Sequence, residues 1–150
     1  MTQNTTVSLP LRPLEADFIP ILEKVLGQKN AIAGIAEAAA SRPLKDIYFV
    51  GCGGSFSSSV HAHALLCRHS KKLQAWNLNA AEFMAQPPAR LGASSLVILS
   101  SHSGATPETA QAALFAKSYD AYVVSLSQEL NTPLANTADT ALVYYSPRRS

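Results

Sequence analysis

At 150 residues and 47% hydrophobic content, the chain has the length of one globular domain with a real core, since such domains bury roughly 68–70% of their unfolded surface. Charged residues make up 15% against a usual share of about 25%, and the formal net charge is +2, so no strong field recruits nucleic acid or acidic lipid. The two cysteines, Cys52 and Cys67, exclude a disulfide scaffold; we read each as a small buried apolar residue in a reducing cytoplasm.

Residues 1–13 are polar, threonine-rich and punctuated by Pro10 and Pro13, which reads as a mobile tail with no secretory signal. From Leu14 a helical period sets in, with Phe18, Ile21, Leu22, Val25 and Leu26 on one stripe and Gly27 expected as a left-handed cap. An alanine-rich second helix, Asn30 to Ser41, ends before Pro43. These helices occupy 14–42, and their apolar faces exceed what one sheet needs to cover, which points to a homodimer.

From residue 43 onward strands and helices alternate. Ile47 to Val50 is a β-branched and aromatic strand ending at Gly51, followed by one helix from Ser55 to Arg68 with Val60, Ala64, Leu65 and Cys67 inward. Leu73–Leu78 is a second strand, Ala80–Ala85 a helical turn stopped by Pro87 and Pro88, and Leu96–Leu99 an apolar strand covered on both faces. A helix from Thr106 to Ser118 carries Pro107 in its first turn. The strand Ala121–Leu126, the short helix Thr132–Thr137 and the strand Ala141–Tyr145 complete the chain.

This alternation predicts an α/β three-layer sandwich around a five-stranded parallel sheet, of flavodoxin-like order 2-1-3-4-5. No run approaches the ~18 apolar residues of a membrane span. In such sheets ligands bind beyond the carboxyl ends of strands one and three. Strand one is followed there by Gly51-Cys52-Gly53-Gly54-Ser55, and strand three by Ser100-Ser101-His102-Ser103-Gly104-Ala105-Thr106. Both loops enter helix N-termini, whose amides favour an anion, and Ser55, Ser101, Ser103 and Thr106 add hydroxyl donors. The competing reading makes these hydroxyls ordinary caps and turn residues; two hydroxyl-rich glycine loops at one switch point favour a phosphate cradle.

Other chemistries fit less well. A dinucleotide site would want a small residue at Phe56 and an acid near Asn77-Leu78-Asn79. His61, His63 and His69 have no acid or cysteine cluster to complete a metal set. His102 is either a ligand contact or an exposed loop histidine. Glu82 is read as structural or ligand-orienting rather than as a proton-transfer group. No metal and no cofactor are expected, and no catalytic acid or base is identified.

The glycine loop Gly51–Ser55, the segment Ala81-Glu82-Phe83 and the run Ser101-His102-Ser103-Gly104-Ala105-Thr106-Pro107-Glu108-Thr109 together resemble the sugar isomerase (SIS) family over Ile47–Tyr145. Ile47–Ser55, Gln86-Pro87-Pro88 and His102 resemble the fructosamine 6-phosphate deglycase branch within it; glucosamine 6-phosphate synthase isomerase domains are similar but usually carry glutamine at the position of His102. The resemblance implies that Gly54, Ser55, Ser101, His102, Ser103 and Thr106 bind a sugar phosphate, with Gly53, Glu82 and Ser127 as candidates to orient it. It also implies that 43–150 is the first of two such domains in an aminosugar-phosphate isomerase or deglycase, the acid and base coming from elsewhere. The alternative is a phosphosugar-sensing module without catalysis.

Overall fold

The computed structural model describes residues 16–145, so the expected tail at 1–13 and the segment after residue 145 lie outside it. Two helices lead in, α1 Phe18–Leu26 and α2 Lys29–Ala40. The alternating body follows: β1 Asp46–Gly51, α3 Gly54–Ser58, α4 Val60–His69, β2 Gln74–Asn79, α5 Ala80–Ala85, β3 Ser95–Ser100, α6 Pro107–Ser118, β4 Tyr122–Ser127, α7 Pro133–Thr137 and β5 Thr140–Val143. The five strands are all parallel in the order β2-β1-β3-β4-β5, as the alternation requires.

Alternating side chains of the central strands feed two cores. Tyr48, Val50, Val97, Leu99 and Val123 meet Phe83 of α5, Ala112, Ala113 and Ala116 of α6, and Leu134 of α7. The alanine stripe on α6 brings that helix backbone close to the sheet. On the other face Ile47, Phe49, Leu96, Tyr122 and Val124 pack with Ala39 of α2, joined by half-buried Ile35 and Leu66. β1 and β3 are thus covered on both faces, which is why they read as nearly unbroken apolar runs.

Four local expectations are corrected. Gly27 is right-handed at φ −64, because its amide donates to the Glu23 carbonyl and the chain continues through Gln28 into α2 without reversing. The single helix expected from Ser55 to Arg68 is two, separated at buried Ser59. Its hydroxyl bonds the Phe56 carbonyl at 2.9 Å and the Asn77 side chain at 3.0 Å, competing with the helical ladder. The break also turns α4, so that Ala62, His63 and Leu66 face the sheet while Val60, Ala64, Leu65 and Cys67 are exposed. His63 follows from that rotation, its Nε2 lying 3.1 Å from the Ala75 carbonyl. Neither cysteine is buried: Cys52 is half-buried and Cys67 exposed.

Candidate functional site

The carboxyl ends of β1 and β3 lie side by side, with Gly51 paired to Ser100, so the two loops that follow them are neighbours. Gly51 makes the approach feasible. A Cβ there would stand 3.1 Å from both the Phe56 amide nitrogen and the Ser100 carbonyl oxygen. Gly104 holds the second loop: its φ is +65, and a Cβ would press to 2.6 Å from the Thr132 Cβ. Its carbonyl accepts from the Leu134 amide at 3.0 Å, tying the loop to α7, which Thr132 caps through the Ala135 amide.

Between the loops opens a cavity of about 700 Å³, lined by Cys52, Gly54, Ser55, Ser58, Ser100, His102, Ser103, Thr106, Leu126 and Tyr144. Its size is that of a small-molecule site. The wall carries hydroxyls and backbone but no carboxylate among the described residues. The amides of Gly53, Gly54, His102, Ser103 and Thr106 have no acceptor among the described residues, and Thr106 opens the twelve-residue helix α6. Unpaired amides at a helix start attract an anion.

Of the residues singled out in the sequence, Gly54, Ser55, His102, Ser103 and Thr106 line this cavity. Ser103 Oγ accepts from the Ala105 amide at 3.2 Å, which leaves its own proton to donate. Ser101 stands behind the wall, 2% exposed, its hydroxyl 3.0 Å from that of Thr106 and its amide donating to the Leu126 carbonyl. Gly53 is exposed at the turn into α3. Ser127 is buried, with its hydroxyl on the Glu129 carbonyl at 2.6 Å and its own carbonyl accepting from the Tyr144 amide at 3.1 Å. Glu82 lies apart, in a cleft of about 340 Å³ with Tyr48, Trp76 and Arg90.

Ser58, Leu126 and Tyr144 also line the cavity and were not among the residues expected there; of these Tyr144 makes the closest contact with an expected one. Its hydroxyl is 2.7 Å from His102 Nδ1, and the two rings are 5.9 Å apart at 45°. Burial raises the Tyr144 pKa above the ordinary phenol value, so it is a neutral hydroxyl through the physiological range. The fifth strand was expected to run on to Tyr145; it ends at Val143, which puts Tyr144 one residue past β5, at the same carboxyl edge of the sheet as the two loops.

Among the described residues no group of three or more His, Cys, Asp and Glu is placed to hold a metal ion, and no helix is long and apolar enough to cross a membrane.

The profile of the SIS domain matches residues 42–150. The fructosamine deglycase FrlB of Bacillus subtilis (strain 168) is 37% identical over 103 residues, 69% of this chain and 31% of that protein. The fructoselysine 6-phosphate deglycase of Escherichia coli O157:H7 is 29% identical over 129 residues, 85% of this chain and 38% of that protein. The solved structure of a candidate phosphosugar isomerase from Salmonella typhimurium LT2 aligns with a TM-score of 0.75 at 28% identity, covering 94% of this chain and 39% of that one. The chain therefore spans well under half the length of these relatives. With the family profile matched across most of its length, and with the parallel sheet in the expected order, the chain belongs to the SIS-domain family.

Proposed function

We propose that the cavity binds a sugar phosphate, anchoring the phosphate between Gly54, Ser55, Ser103, Thr106 and His102. The convergence of two hydroxyl-bearing loops on one cavity, with the unpaired amides of those loops and of Thr106 at the start of α6, carries this reading. Ser101 acts from behind, holding the Thr106 hydroxyl. Gly53 shapes the turn beside the phosphate. Ser127 contributes through the turn it closes, and Glu82 belongs to the neighbouring cleft, where it orients more distal parts of a substrate or a partner.

The larger activity follows from the chemistry of the ligand. An aminosugar phosphate is isomerised or deglycated by proton transfer next to a carbonyl or imine carbon, which needs a placed acid and base. The cavity wall holds no carboxylate among the described residues, so this lobe supplies anchoring and orientation, an effect able to lower a barrier by several kcal/mol. The acid and base would come from a second SIS half of the same cytoplasmic protein or from a second copy in a homodimer. The shares of 31% and 38% covered in the two deglycases support a two-domain whole. A sensing module without catalysis is the competing reading, favoured by the same carboxylate-free wall.

Calorimetric titration with fructose 6-phosphate and fructosamine 6-phosphate tests the binding. Replacing Ser55 and Ser103 together with alanine removes two hydroxyls facing a charged group and should weaken binding about 100-fold, at about 1.5 kcal/mol or more each. Unchanged affinity in that double variant overturns the cradle. Turnover of either compound by the chain together with its second half separates enzyme from sensor.

A further inference from the structure

Resting on the phosphosugar reading above, we propose that Tyr144 is a positioning residue for His102: its hydroxyl donates to Nδ1, which turns the protonated Nε2 toward the cavity as a donor to the bound ligand. The pair comes from strands separated by one neighbour, His102 after β3 and Tyr144 after β5, with β4 between. Both are pinned to the end of β4 between them. The His102 carbonyl accepts from the Gln128 amide at 3.1 Å, and the Tyr144 amide donates to the Ser127 carbonyl at 3.1 Å. These backbone bonds bring the two side chains within reach of each other, and the hydroxyl stands 2.7 Å from Nδ1.

Proton accounting gives the direction. The Tyr144 hydroxyl has one hydrogen-bond partner among the described residues, His102 Nδ1, and of the two the imidazole nitrogen is the stronger acceptor and the phenol O–H the stronger acid, which favours O–H···N for the 2.7 Å contact. If Nδ1 accepts, the proton of the neutral imidazole sits on Nε2, which has no partner among the described residues and belongs to a side chain on the cavity wall. With the opposite tautomer Nε2 would present a lone pair to a dianion and repel it. A wall with no lysine or arginine among the described residues gains most from such an oriented donor.

The test is a double-mutant cycle on the chain with fructose 6-phosphate as the probe, joined to ¹⁵N spectra of the histidine ring. Tyr144→Phe keeps the ring and removes the hydroxyl, and affinity should fall about 3- to 10-fold. In the His102→Ala background the same substitution should have no further effect, since its action passes through the imidazole. In the unliganded wild type His102 Nδ1 should resonate as an unprotonated, hydrogen-bonded nitrogen and move downfield in Tyr144→Phe. A Tyr144→Phe effect that persists without His102, or a protonated Nδ1 in the wild type, overturns the proposal. If the wild-type chain binds no sugar phosphate, the site reading falls, while the Nδ1 resonance still decides the pairing.

Discussion

Gly104 concentrates several demands in one residue. It sits at positive φ, its missing Cβ leaves room for Thr132, and its carbonyl receives the Leu134 amide. Gly104→Ala adds left-handed strain of about 1–2 kcal/mol and an overpacking cost of about 1–3 kcal/mol, so a loss of about 3 kcal/mol in urea unfolding is expected. Affinity for a sugar phosphate should fall with it, because the loop carrying His102, Ser103 and Thr106 must shift. Ser101 behaves differently from its neighbours. Buried at 2% exposure, it is felt through Thr106, and Ser101→Ala should cost about 1 kcal/mol of stability as well as weakening binding, whereas Ser103→Ala removes only an exposed acceptor of the Ala105 amide and should shift the unfolding midpoint much less.

At the scale of elements, Asp139 ties the start of β5 to the rest of the sheet. Its carboxylate takes the Lys117 ammonium of α6 at 2.7 Å and the Val123 amide of β4 at 2.8 Å, and its own amide donates to the Val123 carbonyl. Partial burial opposes ionisation, but these donors outweigh it and hold the carboxyl below its ordinary range. A carboxyl whose pKa is lower folded than unfolded stabilises the fold above the unfolded value, near 4, and loses that contribution as pH falls through the folded value. Asp139→Asn should therefore cost about 1 kcal/mol at pH 7, and its difference from the wild type should shrink as pH falls below about 4 and through the folded value, as chemical unfolding at pH 7 and at successively lower pH would show. Since β5 delivers Tyr144 to the cavity, the same variant should also loosen the contact to His102. The break between α3 and α4 is a second case of one polar side chain deciding an element, with Ser59 and Asn77 joined across α3 and β2.

For the molecule as a whole, seven of the exposed large apolar side chains fall on the lead-in helices and on α4, while Trp76, Leu114, Tyr119, Leu130 and Tyr145 are exposed elsewhere. Phe18, Ile19, Leu22 and Leu26 of α1 and Ile32 of α2 are exposed, and so are Val60 and Leu65 of α4. Joined into one face, these side chains would suit the proposed homodimer. Sedimentation of the wild type should give a dimer, and Leu22→Asp with Ile32→Asp should give a monomer of unchanged fold; a wild-type monomer across the micromolar range overturns the expectation.

The sequence by itself determined the parallel sandwich, its strand order and the loops that would meet, because strand runs such as Ile47–Val50 and Leu96–Leu99 are local apolar patterns and right-handed crossovers leave little topological choice. The bounds of β1, β3 and α5 were legible to within a residue for the same reason. What only the tertiary structure decided were orientations. Which face of α4 turns inward depended on one buried hydroxyl, and whether Ser101 lined the cavity or stood behind it depended on its bond to Thr106. The meeting of His102 with Tyr144, 42 residues apart, required β3, β4 and β5 to be laid side by side. A side chain's partner across that distance is a property of the assembled sheet, and local periodicity carries no trace of it.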